Sequence, residues 1–199
     1  RFLDYAPYYS NLACFSQFDF DHYNKFGAII DNYHPIGSMS ISSYISNYKE
    51  VEKSFDLCIV ANGVNHRPGC IKMIDYIFRY LETWDIKVCI ALKSIHGESN
   101  VKENLLEFDK LLNFNNVTLV ERLDHSSSYS SDISEVTIGH GTTLLRQTFA
   151  RGNKIYPMNF VDPTMSPPYD LLGFSLSPTY SEFESHLNHL LSINPKKSR

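Results

Sequence analysis

The chain has 199 residues, 43% of them hydrophobic and 14% aromatic, which is enough apolar material for the core of one large domain. Its formal net charge at pH 7 is −4, and the basic residues cluster only in the terminal run 196–199, so nucleic acid is not an expected partner. No apolar stretch approaches the roughly 20 residues that a membrane-spanning helix needs.

The N-terminal part of the chain gives weak structural signals. Residues 1–20 are rich in aromatic side chains and lack a clear periodicity, so we assign them to an extension or linker. Residues 21–193 are predicted to form the main domain, and residues 194–199 a basic tail. Because the chain begins with Arg1 and its first strong strand and turn signal comes only near His34, we expect a preceding N-terminal domain that this sequence lacks.

From residue 55 onwards, apolar runs of strand length alternate with segments of helical spacing. The runs predict buried strands at Phe55–Ala61, Lys87–Leu92, Val117–Val120, Glu135–Ile138 and Lys154–Tyr156. The spacing predicts helices over Gly69–Thr83, Val101–Leu112 and Thr179–Ile193, and the serine-rich stretch His125–Ser131 predicts a loop or the cap of a short helix. This alternation predicts an α/β fold with a parallel Rossmann-like sheet and helices on both faces.

The segment from Ser134 to Phe160 is the most informative. Gly139-His140-Gly141 predicts a flexible turn after a strand, and Thr142 then opens a helix that ends at Arg151-Gly152. The first amide groups of such a helix have no partner in the helix, and together with its dipole they attract an anion. The same pattern is also that of an ordinary turn between a strand and a helix with no ligand.

Ligands in an open parallel sheet bind beyond the carboxyl ends of the strands, which selects the loops that begin there. Glycines, hydroxyls, a lysine and two histidines in these loops favour a phosphorylated ligand, although each histidine also fits a structural role and the lysine also fits a solvated one. The predicted phosphate contacts are Ser38, Lys93, Gly141, Thr142 and Thr143. Predicted contacts to the rest of such a ligand are Gly63, Asn65 and His140, and His96 is a further candidate.

Four cysteines are present and none forms a CxxC pair. Cys58 and Cys89 lie inside apolar strand-like runs, which predicts buried free thiols and a reducing compartment. His186 and His189 have the spacing of metal ligands on a helix, but no third ligand accompanies them, so we predict surface residues and no metal. The GxSxG, GxxxxGK[ST] and GxGxxG motifs are absent, and no cofactor is expected.

Four stretches together resemble bacterial surface-carbohydrate biosynthesis proteins: Ser127-Ser128-Tyr129, Ser134–Ile138, Gly141–Leu144 and Ala150–Lys154. These proteins are similar to the C-terminal, nucleotide-sugar-binding half of GT-B-type glycosyltransferases. The resemblance covers most of residues 20–190 and is specific only between Ser127 and Lys154.

The resemblance implies a function and a role for further residues. Gln147 stands where the family has a glutamate that holds the donor ribose, Thr142 stands where serine is usual, and Arg146 adds a positive charge. Thr143 and Gln147 are four residues apart and share a helix face, so a phosphate at Thr143 places a ribose near Gln147.

The implied activity is glycosyl transfer for capsule or lipopolysaccharide assembly, from a nucleotide-sugar donor to a carbohydrate or lipid-linked acceptor. The general base commonly comes from the other domain of such enzymes, so no catalytic residue is assigned. The implied location is cytoplasmic, with peripheral association at the inner membrane face as an option.

Two alternatives remain open. One is a nucleotide-sugar epimerase or a glycerol-phosphate transferase on the same architecture. The other is a non-catalytic α/β module that binds a partner through its aromatic N-terminal segment, which predicts an exposed apolar patch around Tyr5 to Phe20 and no anion at Gly141.

Overall fold

The computed structural model describes residues 7–14, 16–37, 51–60, 67–91, 108–120, 127–140, 142–160 and 176–193. The chain divides into two compact units, Arg1–Lys49 and Glu50–Arg199.

The first unit contains a parallel pair of strands joined by a helix. Strand β1 (Tyr8–Cys14) leads into α1 (Gln17–Lys25), and β2 (Ile29–Pro35) pairs with β1 in a register that runs from Tyr8 opposite Ile29 to Cys14 opposite Pro35. The structure here differs from the expected extension over residues 1–20, because β1 pairs with a strand that follows residue 20. Where the domain boundaries lie stays a prediction.

The second unit is built on five parallel strands: β3 (Phe55–Val60), β4 (Val88–Ala91), β5 (Val117–Val120), β6 (Ser134–His140) and β7 (Lys154–Met158). They lie in the sheet in the order β5-β4-β3-β6-β7. This confirms the predicted parallel α/β sheet. The 108–112 stretch is helical and agrees with the end of the predicted Val101–Leu112 helix, whose beginning lies outside the described residues. The labelled helices of this unit are α2 (Arg67–Leu81), α3 (Ser127–Asp132), α4 (Thr143–Ala150) and α5 (Tyr180–Ser192).

Both faces of the sheet are covered, as the continuous apolar runs predicted. Along β3, Leu57 and Ile59 belong to a large core that includes Met73 of α2 and Phe183 of α5. Their neighbours Cys58 and Val60 point to the other face, because successive side chains of a strand alternate, and they belong to a second cluster. The helices α2 and α5 therefore cover one face, while α3 and α4 pack against each other on the opposite one.

The thiols of Cys58 and Cys89 are fully buried and sit opposite each other on β3 and β4, which confirms the predicted buried free cysteines. A hydrogen bond with Cys89 and burial both raise the pKa of the Cys58 thiol, so it stays protonated.

The predicted flexible turn at Gly139-His140-Gly141 is wrong for its first two residues. Gly139 and His140 continue β6, because they pair with Pro157 and Met158 of β7. Gly141 lies outside the described residues. The strand is seven residues long, whereas the sequence predicted only its middle, Glu135–Ile138.

Candidate functional site

The start of α4 lies at the carboxyl edge of the sheet, directly after β6. Thr142 is its N-cap residue, with an extended backbone at φ −102° and ψ 137°, and its side chain accepts a hydrogen bond from the Leu144 N–H at 3.4 Å. The Leu145 N–H donates to the Thr142 carbonyl oxygen at 3.3 Å. These distances are long for such bonds, so the cap holds the first-turn amides only weakly. The predicted helix start at Thr142 and Thr143 is confirmed.

Gly139 allows α4 to begin this close to the strand. A Cβ atom at Gly139 would lie 2.8 Å from Cγ2 of Thr142 and 3.5 Å from Cδ1 of Leu145. The first of these distances is shorter than real Cβ atoms show, so any larger residue at this position would force the side chain of Thr142 to move. The glycine in the motif therefore serves close packing between strand and helix, since it lies in a paired strand and not in a flexible turn.

Thr143 and Gln147 share the outer face of α4, as their spacing predicted. Both side chains are exposed, and so is Arg146 beside them. The first turn of α4 carries no acidic residue. A hydroxyl, an amide and a guanidinium are thus accessible around a helix N-terminus, and no carboxylate of that turn opposes an anion. The assignment of Thr143 to a phosphate and of Gln147 to a ribose stays a prediction.

His140 is buried, in contrast to Thr143 and Gln147. Its ring is fully buried, its Nε2 atom accepts a hydrogen bond from the Phe160 N–H at 3.0 Å, and it stacks on the Phe160 ring at 6.2 Å with an interplanar angle of 15°. A Cβ atom at Gly69 of α2 would lie 2.0 Å from Nε2, so the helix backbone packs directly on the ring. His140 thus joins the ends of β6 and β7 to α2, and its predicted contact with the ribose or base stays a prediction.

The remaining predicted contacts cannot be placed on this geometry. They lie outside the described residues, and each follows a described strand in the sequence: Ser38, Gly63, Asn65, Lys93, His96 and Gly141. The strands β3, β4 and β6 end at Val60, Ala91 and His140, and parallel strands end at the same edge of a sheet. The chain therefore leaves this edge just before Gly63, Lys93 and Gly141.

Sequence reasoning missed a buried polar network at the opposite edge of the sheet. Arg151 donates through Nε to Oδ1 of Asp132 at 2.9 Å, with side chains only 3% and 7% exposed. Asn153 donates to the same carboxylate oxygen at 2.8 Å. Lys53 donates to the carbonyl oxygens of Asp132 and Ser134 at 2.7 and 2.9 Å, and to Oδ1 of Asn153 at 3.0 Å.

This network gives the residues of the Ala150–Lys154 motif a structural role. Burial lowers the pKa of Lys53, while the carboxylates of Glu135 and Asp132 oppose that shift. The three bonds donated by Lys53 occupy all three of its protons, so it holds backbone segments together and has no proton left to offer a ligand. In the sequence, the signal for this network was the presence of three polar side chains, Arg151, Asn153 and Lys154, within the five-residue motif.

His186 and His189, which were predicted to be surface residues, both lie on α5. His189 is exposed, as predicted, whereas His186 is partly buried and lies with its Nδ1 atom 3.4 Å from the hydroxyl of Tyr156. Within the described ranges, no group of three histidines, cysteines or carboxylates is arranged to hold a metal ion.

Comparison with known proteins identifies the architecture. No protein-family model matches the chain, and no curated protein matches it. Among solved structures, the chain is similar to the Methanocaldococcus jannaschii UDP-GlcNAc 2-epimerase in complex with UDP-GlcNAc and UDP, with a TM-score of 0.63 and 10% sequence identity. The match covers 94% of this chain and 55% of the epimerase chain, so this chain spans about half the length of that protein.

At this level of identity the likeness concerns the fold. The five-stranded parallel sheet flanked by helices matches a GT-B-like Rossmann-type domain, which confirms the predicted fold class. None of the helices in the described portion of the chain is both long and apolar enough to cross a membrane.

Proposed function

We propose that this chain is the nucleotide-sugar-binding domain of an enzyme, and that the enzyme is a glycosyltransferase of surface polysaccharide biosynthesis. The observation that carries the proposal is the arrangement at the start of α4. A weakly capped helix N-terminus lies at the carboxyl edge of a Rossmann-type sheet, with the exposed side chains of Thr143 and Gln147 one turn apart on its outer face.

The chemistry of this arrangement suits a nucleoside diphosphate. The first-turn amides and the hydroxyl of Thr143 can donate to phosphate oxygens, and the helix dipole favours the negative charge. Gln147 can then hydrogen-bond to a ribose hydroxyl one step further along the ligand. In glycosyl transfer, charge develops on the departing phosphate, and preorganised donors at that position stabilise the transition state.

No residue of this chain is proposed as the general base. In the proposed enzyme, a second domain supplies the acceptor site and the base that activates the acceptor hydroxyl. The extent of the match, 55% of the epimerase chain, leaves room for such a domain in a longer polypeptide.

A second candidate function is epimerisation of a nucleotide sugar, and the fold match with a UDP-GlcNAc 2-epimerase favours it. The two functions share the nucleotide site and differ in the fate of the sugar. Incubation of the protein with a nucleotide sugar alone separates them, because an epimerase yields the epimeric sugar without an acceptor, whereas a transferase leaves the donor unchanged except for slow hydrolysis.

The nucleotide site is tested by thermal unfolding in the presence of UDP, GDP, dTDP and CMP sugars. We expect at least one of them to raise the melting temperature, because a ligand that binds only the folded state stabilises it by mass action. The double substitution Thr143→Ala with Gln147→Ala is expected to abolish that rise.

The matched control is Thr83→Ala with Asn115→Ala, which removes an exposed hydroxyl and an exposed amide at the opposite edge of the sheet. This control is expected to keep the full rise. Absence of a shift with every donor, or equal loss in the control and the α4 variant, contradicts the proposed site.

A further inference from the structure

A stack of four groups lies at the carboxyl edge, on the face of the sheet that α2 covers. The backbone of Gly69 packs on the imidazole of His140, and that ring stacks on Phe160. The ammonium group of Lys72 lies over two aromatic rings, 4.4 Å from the centroid of the Phe160 ring and 5.7 Å from that of Tyr76. Gly69 and His140 are buried, Phe160 is half-buried and Lys72 is exposed, so exposure increases from the glycine to the lysine.

This stack brings the ammonium group to the level of the strand ends. Phe160 lies two residues beyond the end of β7, and His140 is the last residue of β6. Although the Cα atom of Lys72 lies more than one turn inside α2, helical side chains lean towards the N-terminus of their helix. The N-terminus of α2 points to the same edge, since α2 follows β3, so the lysine reaches up to that edge.

Lys72 differs from three other cations of this unit in its partners. Arg151, Lys154 and Lys110 each pair with a carboxylate. Among the described residues, Lys72 contacts only aromatic rings and forms no ion pair, and its side chain is exposed. An aromatic face positions a cation without neutralising its charge, so the full positive charge is available to an anion.

The two helix starts lie on opposite sides of one strand end. Gly139 contacts Thr142 at the start of α4, while the next residue, His140, contacts Gly69 near the start of α2. Successive residues of a strand face opposite sides of the sheet. A ligand that extended across the end of β6 from Thr143 would therefore reach the side of the sheet on which Lys72 lies.

We propose that Lys72 is a second phosphate-contacting residue, which gives the site a preference for a nucleoside diphosphate over a monophosphate, and that Phe160 is its positioning residue. This inference rests on the proposed nucleotide site at α4. The amides and Thr143 of α4 meet one phosphate, and the ammonium group of Lys72 meets the other.

The experiment measures dissociation constants by calorimetry for UDP, GDP, dTDP and CDP, each beside its monophosphate. For the best-bound diphosphate, Lys72→Gln is expected to raise the dissociation constant about tenfold, which corresponds to the loss of one hydrogen bond to a charged group. The dissociation constant of the matching monophosphate is expected to rise much less. Lys72→Arg is expected to retain most of the affinity. Phe160→Leu, which keeps the apolar packing but removes the ring face, is expected to give an intermediate loss of diphosphate preference.

The matched control is Arg79→Gln. Arg79 lies on the same helix, near its C-terminal end, with its guanidinium 3.9 Å from the centroid of the Tyr180 ring, and its loss is expected to leave both affinities unchanged. If Lys72→Gln changes diphosphate binding no more than this control, or weakens both phosphates equally, the role of Lys72 is refuted while the α4 site stands. If no nucleotide binds the unmodified protein, both the α4 site and the role of Lys72 are refuted.

Discussion

The buried ion pair between Arg151 and Asp132 gives the sharpest test of what holds the sheet and α4 together. In Asp132→Asn the side chain keeps its shape, but Arg151 loses its counter-charge in a place where the two side chains are only 3% and 7% exposed. Removing one partner of a buried pair costs about 3–5 kcal/mol, because the remaining charge stays desolvated and uncompensated. For a domain of this size that corresponds to a fall in melting temperature of roughly 10 °C.

The control is the same substitution at a surface pair. Asp75 pairs with Lys110, and their side chains are 54% and 40% exposed. Asp75→Asn is therefore expected to cost less than about 1 kcal/mol. Urea unfolding followed by circular dichroism gives both free energies, and the slopes with urea show whether the unfolded states remain comparable.

A double-mutant cycle isolates the charge interaction. Arg151→Met removes the stranded cation, so Asp132→Asn is expected to cost about 2 kcal/mol less in that background than alone. Equal costs in the two backgrounds, or an Asp132→Asn variant no less stable than Asp75→Asn, would refute the reasoning, because the network would then hold the structure without help from its charges.

Two further predictions concern packing and pH. Gly69→Ala is expected to lower the free energy of unfolding by about 1–3 kcal/mol, because its Cβ atom would lie 2.0 Å from the His140 ring, although alanine is otherwise the better helix former. Adding His140→Ala is expected to recover part of this loss, as measured by urea unfolding. A Gly69→Ala variant more stable than the unmodified protein would contradict the close approach of α2. Burial raises the pKa of Tyr80 to about 12 from its ordinary 10.0, so the folded protein keeps this proton to a higher pH than the unfolded chain does. The stability that this difference provides is complete below pH 10 and is lost as the pH rises through 12. Tyr80→Phe is therefore expected to flatten the fall of the unfolding free energy between these two pH values.

The sequence by itself determined the strands, helices and their alternation in the second unit. Continuous apolar runs such as Leu57–Val60 predict a strand that is covered on both faces, and the alternation with helical segments predicts that helices provide this cover. The start of α4 could also be predicted from neighbouring residues alone, because Thr142 caps the helix that immediately follows it.

Only the tertiary structure decided the roles of individual polar residues. Gly139 and His140 resemble a turn in sequence, yet pairing with β7 extends the strand through them, and the close approach of Gly69 encloses the imidazole. Asp132 meets Arg151, and Lys72 meets Phe160, across 19 and 88 residues of sequence respectively. Such contacts depend on which elements become neighbours in space, and the local periodicity of the chain carries no information about them.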